Sequence, residues 1–205
     1  MRAGLLLWAF AAVAGMATLP VGAEEGDGAR FTSFLGFRLN IGTLDDVQGR
    51  LGRARLVESY DDGEYQASVC YLGSDGMVSF LSGRDGGAML GLLGFELQRS
   101  ATAAAQNCRQ LPRHLADASR SLGGLRLGMS RQDFAALMGA PVQWDGDTGR
   151  CLFQGEQPMS AGERAAYKDS PELNQRGSFN VLVTVTARFE DGQLVDVAVW
   201  KVVSA

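Results

Sequence analysis

One short pattern occurs twice in this chain. The run LRLGMSRQDFAALMGAP begins at Leu125, and a related run, LNIGTLDDVQGRLGRA, begins at Leu39. In the best alignment Asp46 corresponds to Asp133, 87 positions later. A pattern that recurs at this distance indicates two copies of one supersecondary unit, because a unit of this size cannot bury its own apolar face.

Each copy carries the start and stop signals of a short helix. In the second copy Ser130 and Asp133 form a predicted N-terminal cap, and Gly139 marks the end. In the first copy Thr43 and Asp46 occupy the equivalent cap positions. Helices of about three turns are marginal alone in water, so the apolar side of each must pack against another element.

Strand-like runs follow each predicted helix. They are YQASVCYL, MVSFLS and LLGFELQ after the first helix, and RCLFQ, FNVLVTVTARF and QLVDVAVWKVV after the second. Alternating apolar residues separated by glycine-rich turns predict antiparallel strands. The sequence therefore predicts an α+β fold of two tandem repeats, each with a short helical segment packed on an antiparallel β-sheet.

The repeat also predicts the domain organisation. We expect a signal peptide over residues 1–23, a first repeat over 31–100, a linker over 101–120 and a second repeat over 121–203. A unit of ~80 residues buries little surface, and doubling it enlarges the core. Within the second repeat lies a polar insertion, residues 157–177, in which Ser160 and Glu163 could cap a short helix.

The last two runs predict a hairpin whose turn decides which side chains share a face. A two-residue turn of Asp191 and Gly192 would put Asp196 on the same face as the valines of the preceding strand. A three-residue turn that includes Glu190 puts valines there instead. We expect the three-residue turn, because that register buries no charge.

In that register the opposite face carries an apolar group at one end. Its members are Leu182, Trp200 and Val202. A sheet needs only one face for a helix, so these residues contact either the other repeat or a partner protein. The sequence leaves both explanations open.

The N-terminus predicts export. Arg2 precedes an apolar run that ends near Leu19, and Val21-Gly22-Ala23 fits a cleavage site after Ala23. The run is shorter than the ~20 residues that a spanning helix needs, so we expect no stable membrane anchor. The predicted location is periplasmic or secreted. The formal net charge of −4 and the absence of a basic stripe predict no nucleic-acid partner.

Three cysteines in an exported chain predict one disulfide and one remaining thiol. Cys70 and Cys108 belong to the same predicted folding unit, so we expect these two to be bonded. A bridge that closes a loop of this length contributes roughly 3 to 4 kcal/mol on chain-entropy arguments. Cys151 is then the free thiol.

Residue types typical of catalysis are sparse. His114 is the single histidine, and no G-x-S-x-G motif is present. We therefore expect no catalytic residue, no cofactor and no metal site. Carboxylates in ESYDDGEY, which we place in a loop, leave a hydrolase as a distant alternative if a pair of them is buried.

Aromatic side chains beside acidic ones mark candidate recognition loops. The alternative is that these rings only cover strand ends. The predicted protein-binding surface is centred on Leu182 and Trp200, with the loop aromatics at its rim. Its residues are Tyr60, Asp61, Asp62, Tyr65, Trp144, Leu182 and Trp200.

Two stretches carry a family resemblance. GMSRQDFAALMGAP followed by FEDGQLVDV resembles the small envelope proteins of the SmpA/OmlA (BamE) type, over most of residues 121–203. The tandem arrangement is similar to the β-lactamase inhibitory protein, whose two helix-on-sheet repeats form a concave binding face. The resemblance implies a non-enzymatic, extracytoplasmic, protein-binding class.

The sequence thus favours an exported non-catalytic protein-binding module of the bacterial envelope. It would act as an inhibitor or assembly factor through its open sheet face, with an envelope or secreted protein as partner. A small-ligand or peptidoglycan-binding periplasmic protein is the first alternative and predicts a closed pocket between the repeats. An envelope hydrolase that uses loop carboxylates is the second.

Overall fold

The computed structural model describes residues 27–61, 64–99 and 107–204. The predicted α+β class is confirmed, with helices packed on an antiparallel sheet. The strands are β1 (Ser33–Phe34), β2 (Phe37–Arg38), β3 (Leu56–Asp61), β4 (Glu64–Leu72), β5 (Met77–Gly83), β6 (Gly94–Gln98), β7 (Arg109–Gln110), β8 (Gln143–Asp145), β9 (Thr148–Pro158), β10 (Ser178–Glu190) and β11 (Gln193–Ser204). The helices are α1 (Leu44–Leu51), α2 (Arg131–Met138), α3 (Ala161–Ala166) and α4 (Pro171–Arg176). Short 3-10 helices lie at Asp27–Phe31, Arg84–Gly86, Arg113–Leu115 and Ala118–Arg120.

The main sheet runs through both halves of the chain. Its order is β3-β4-β5-β6-β11-β10-β9-β8, and β7 pairs with β4 in parallel. The halves join where β6 pairs antiparallel with β11, from Gly94 opposite Trp200 to Gln98 opposite Asp196. They therefore meet edge to edge within one sheet. Their sheet faces do not stack on one another, but Trp200 contacts Gly94 of the first half, as one of the two explanations for the apolar group around Trp200 expects.

Local capping defines the helices as predicted. The Thr43 hydroxyl accepts a hydrogen bond from the amide of Asp46, whose carboxylate accepts one from the amide of Thr43 at 2.9 Å. Ser130 accepts from the amide of Asp133 at 3.1 Å, and Gly139 ends α2 with a φ of +65°. Such caps satisfy the free amides of the first turn and let very short helices form.

One face of the sheet lies under the core. Phe80 is fully buried beneath α1 and the N-terminal segment, where Phe34 and Phe37 contact it with ring centroids 6.3 and 5.3 Å away. In the second half Phe134 of α2 packs on Phe189 of β10, with centroids 5.6 Å apart. One continuous hydrophobic cluster contains all five rings, so this face of the sheet supports a single core across both halves.

The hairpin of β10 and β11 corrects one prediction. Its turn has two residues, Asp191 and Gly192, both with positive φ (51° and 75°), and the three-residue turn was wrong. Leu194 pairs with Phe189 but Asp196 pairs with Arg188, so Val195 is an extra residue, a β-bulge. The bulge restores the register that keeps Asp196 out of the core. The Val195 carbonyl accepts a hydrogen bond from the amide of Arg99 at 2.7 Å.

Two polar regions are more regular than predicted. In the acidic run ESYDDGEY, predicted as a loop, residues 58–61 belong to β3 and residues 64–65 to β4, with Tyr60 paired to Tyr65. The polar residues of β3 were mistaken for a loop, because this strand is stabilised by pairing with β4 and not by an apolar pattern of its own. The insertion at 157–177 contains α3 and α4, and the predicted cap of Ser160 with Glu163 is present.

The predicted disulfide between Cys70 and Cys108 is confirmed, and Cys151 is a buried free thiol. Burial raises the pKa of that thiol. The predicted signal peptide, Asp62 and linker residues 101–106 lie outside the described residues. No helix in the described ranges is long and apolar enough to cross a membrane.

Candidate functional site: the open face of the sheet

The two faces of the sheet differ in what covers them. Residues directly paired across strands share a face, and neighbours along a strand alternate. Val199 and Phe95 are paired and belong to the core, so Trp200 and Gly94, also paired, lie on the other side. We call this second side the open face, although it is exposed only in part: Leu81 of β5, which pairs with Gly94, is buried.

An apolar group lies at one end of the open face, on β9, β10 and β11. Leu152 pairs with Thr184, which pairs with Trp200, while Leu182 pairs with Val202. Leu152 and Val202 keep 42% and 38% of their surface exposed, and Leu182 and Trp200 are half-buried. We name these residues the Trp200 cluster: Leu152, Leu182, Trp200 and Val202. The predicted centre of the binding surface, Leu182 with Trp200, therefore lies on one face.

The other end of the open face is polar. Glu96 of β6 lies diagonally from Asp196 of β11, and Gln98 donates a hydrogen bond to Asp196 at 3.3 Å. Burial and the charge of Asp196 raise the pKa of Glu96, and burial raises the pKa of Asp196. The guanidinium of Arg188 lies 3.8 Å from the Asp196 carboxylate and also contacts Glu190. This end places half-buried acids beside an arginine.

Tyr60 and Tyr65 lie on the other side of the sheet. They pair across β3 and β4, with ring centroids 5.3 Å apart, and Tyr65 shares a face with the core residue Ala67, two positions along β4. The Tyr65 hydroxyl donates to Glu58 at 2.6 Å, and this bond raises the pKa of Tyr65 to about 12. Tyr60 is 77% exposed. Both rings are therefore on the core side, at the free edge of the sheet.

Trp144 is also on the core side, at the opposite edge. It belongs to β8 and packs on Phe134 and Phe189, with centroids 6.1 and 5.5 Å away. The guanidinium of Arg131 lies 5.0 Å from its ring centroid and binds Asp147. The sequence left open that the loop aromatic rings only cover the ends of strands. Trp144 has such a position, because its ring packs on Phe134 and Phe189.

The structure therefore does not bring the predicted residues together on one surface. Tyr60, Tyr65 and Trp144 do not form the rim of the Trp200 cluster, because the sheet lies between them and it. Asp61 falls within β3, and Asp62 is outside the described residues. Glu64, from the run suggested for a hydrolase, is exposed.

Sequence reasoning missed Leu152 and Glu96 as members of the open face. Each alternates with core residues: Leu152 lies between Cys151 and Phe153, and Glu96 lies between Phe95 and Leu97. That alternation is visible in RCLFQ and GFELQ. It could have identified both positions once the neighbouring strands were known.

A cleft of about 290 Å³ lies on the core side near the start of the described chain. Its walls include Thr32, Phe153 and Val183, and Lys201 lies at its margin with its ammonium 3.5 Å from the Gln157 side chain. The cleft is formed by the N-terminal segment and the second half of the sheet. Because Thr32 belongs to the first predicted repeat, residues of both predicted repeats line the cleft.

No cluster of metal-ligating side chains occurs in the described ranges. His114 is exposed in a short 3-10 helix. Asp147, in the turn DGDTG, is bound to Arg131.

Comparison with known proteins adds little. No protein-family model matches the sequence, and no curated protein matches it. Among solved structures, a candidate β-lactamase inhibitor protein from Streptococcus mutans is similar over 79% of this chain and 82% of its own, with 10% identity and a TM-score of 0.23. A TM-score this low does not establish a shared fold. The SmpA/OmlA resemblance stays a prediction.

Proposed function

We propose that this chain is a non-catalytic protein-binding module, exported to the bacterial envelope, that holds another exported protein on its open face. The observation that carries the proposal is the Trp200 cluster. It places two exposed aliphatic side chains and a half-buried tryptophan on the face that the core does not use. Contact with a partner would bury them.

The composition of the face supports a protein partner. Tryptophan is enriched among the residues that dominate binding energy, particularly where apolar area is surrounded by polar side chains. Here the Trp200 cluster is followed along the strands by Thr186 and then by Arg188 and Asp196. This arrangement fits an apolar protrusion on the partner with polar groups beside it.

The rest of the proposal follows from the sequence. A disulfide is typical of proteins that fold outside the reducing cytoplasm, and residues 1–23 have the composition of an export signal. We infer that the chain consists of two repeats that together create the broad open face. An inhibitor or an assembly factor would use such a face without performing chemistry.

Site-specific crosslinking tests the proposal. A photo-reactive amino acid at Leu152 or Val202 should capture the same protein from envelope extract, and one at the exposed Ile41 or Met89 should not. The captured protein, purified, should bind the variant Leu152→Asp, Val202→Asp at least tenfold more weakly than the wild type. The matched variant Ile41→Asp, Met89→Asp adds the same charge elsewhere and should bind normally. Equal loss in both variants, or capture only at Ile41 and Met89, would refute the open face as the binding site.

The cleft near Lys201 favours one second candidate, a small-ligand-binding protein. Its walls combine apolar side chains with the ammonium group of Lys201 and the carboxylate of Glu156, which accepts a hydrogen bond from Ser178. The ammonium group suits an amphiphile with an acidic head. Decanoate serves as the probe. Saturable binding that Lys201→Met weakens at least tenfold, without loss of stability, would support this candidate, and no binding at millimolar decanoate would remove it.

A further inference from the structure

Strand β3 forms the free edge of the main sheet. It is the terminal strand in the sheet order, and within the described residues no strand pairs with its outer side. Every residue from Leu56 to Tyr60 is exposed, including 37% of Leu56 and 43% of Val57. Unpaired amides and carbonyls at an edge can pair with another extended chain.

This edge has no proline, lysine or bulge, three of the usual protections against such pairing, and its charged residues are Glu58 and Asp61. Natural edge strands are often blocked by proline, by lysine or by a bulge. β3 has the sequence LVESYD, and it pairs with β4 over six consecutive positions without a shift in register. Exposed apolar side chains lie on both of its faces, with Val57 on one and Leu56 and Tyr60 on the other.

Three arginines lie at the start of this edge. Arg53 and Arg55 directly precede β3, and Arg109 donates a hydrogen bond to the carbonyl of Arg53 at 3.1 Å. Arg55 donates to the side chain of Asn107 at 3.0 Å. The two chain segments therefore lie side by side, and all three arginines are exposed. We call this group the arginine cluster: Arg53, Arg55 and Arg109.

The position of Arg109 is fixed by the fold. Cys108 is bonded to Cys70 of β4, and Arg109 itself pairs with Tyr71 in the short parallel strand β7. β3 covers the edge of β4 as far as Val69, and β7 continues along the same edge. The arginine cluster is therefore in line with β3.

The charge of this region differs from that of the whole chain, whose formal net charge is −4. Within the described residues no ion pair involves a member of the arginine cluster. The acid nearest along β3, Glu58, instead accepts a hydrogen bond from Tyr65. Exposed arginines on two adjacent segments of one sheet edge suit a row of carboxylates.

We propose that β3 binds an extended acidic segment of another protein by antiparallel strand addition. An added antiparallel strand has its C-terminal end beside Leu56, so its acidic residues at that end contact the arginine cluster. Main-chain hydrogen bonds to β3 supply the affinity, and carboxylates supply the specificity. This interface is separate from the open face, so it goes beyond the proposed function.

A designed peptide tests the proposal on the folded, oxidised protein. The probe is TVTVTVEEE with a free C-terminus, and its affinity is measured by isothermal titration at low salt. One control peptide ends in KKK in place of EEE, and a second carries N-methyl groups on alternate residues. We expect micromolar binding of the probe alone, because the first control reverses the charge and the second blocks strand pairing.

Protein variants locate the site. Arg53→Gln, Arg55→Gln should weaken probe binding at least tenfold, whereas Arg84→Gln, Arg164→Gln removes two exposed arginines elsewhere and should not change it. Leu152→Asp, Val202→Asp on the open face should also leave it unchanged, which separates this test from that of the proposed function.

Three results would overturn the proposal. They are equal binding of the N-methylated peptide, equal loss in both arginine variants, and self-association through β3 that excludes the probe. The last would make a second copy of this chain the occupant of the edge. Sedimentation at several protein concentrations detects it.

Discussion

Trp200 covers Gly94 at the junction of the two halves of the sheet. The two residues are paired across β11 and β6, and a Cβ atom at Gly94 would lie 3.0 Å from both Cδ2 of Trp200 and the carbonyl oxygen of Val199. The indole therefore rests where a side chain would otherwise be. Because Gly94 has no side chain, the indole of Trp200 can lie against its backbone, and this contact positions the Trp200 cluster.

We predict that Gly94→Ala destabilises the protein by about 1–3 kcal/mol, because a methyl group forces the indole and a backbone carbonyl to move. Urea unfolding followed by circular dichroism measures the change. Gly49→Ala is the matched control, because nothing lies within 4 Å of its Cβ and it occupies the exposed side of α1. That substitution should stabilise the chain by about 0.5–1 kcal/mol. Equal stability of Gly94→Ala and wild type would contradict the contact.

The Cys70–Cys108 disulfide should contribute about 3–4 kcal/mol, because its sequence separation of 38 restricts a long loop of the unfolded chain. Cys70→Ser, Cys108→Ser should lower the free energy of unfolding by that amount in urea. Thiol counting gives the control: one thiol should react in denaturant before reduction and three after it. In the native protein Cys151 should react slowly, since burial raises its pKa.

Glu96 should make stability depend on pH in the direction opposite to an ordinary ion-paired acid. Burial, followed by the charge of Asp196, raises its folded-state pKa above that of the unfolded chain, so ionisation opposes folding. Glu96→Gln should therefore be more stable than wild type at pH 7. The advantage should vanish as the pH falls below the ordinary range for a carboxyl group, because both forms are then neutral. Glu172→Gln removes an exposed carboxyl group from α4 and is the control for the change in net charge.

The hydrogen bond between Tyr65 and Glu58 should be visible in a titration. It raises the pKa of Tyr65 to about 12, so Glu58→Ala should lower that value toward 10. Tyrosine resonances recorded between pH 9 and 12.5 report the change. Tyr71, whose pKa burial raises to about 12, is an internal control because it should not respond. An unchanged Tyr65 pKa would mean that the β3–β4 hairpin does not hold this pair together.

Parts of the fold that depend on neighbouring residues were predictable. Thr43 and Ser130 begin helices because their hydroxyls cap amides three residues away, and such signals are complete within one turn. The pairing of Cys70 with Cys108 followed from their positions in one half of the chain.

The candidate site was only partly predictable. Leu182 and Trp200 were placed correctly on one face, although the turn that was expected to place them there was wrong. The bulge at Val195 compensates, and its carbonyl accepts a hydrogen bond from the amide of Arg99, the residue after β6. The sequence of the hairpin itself does not predict this hydrogen bond, because Arg99 lies outside the hairpin. The sequence did not predict the open edge at β3, because the polar residues of β3 resemble a loop and only its pairing with β4 identifies it as a strand.

The sequence by itself determined the class of fold, the helix boundaries, most strands and the disulfide, because caps, alternation and cysteine positions act locally. Tertiary structure alone decided which strands are neighbours and which side of the sheet each aromatic ring occupies. Trp144 and Trp200 lie on opposite faces for this reason. A shift of one residue in register reverses every side chain along a strand, and register is set by pairing between distant segments. The halves share one sheet because β6 pairs with β11, and the Trp200 cluster lies on the side of that sheet opposite the core.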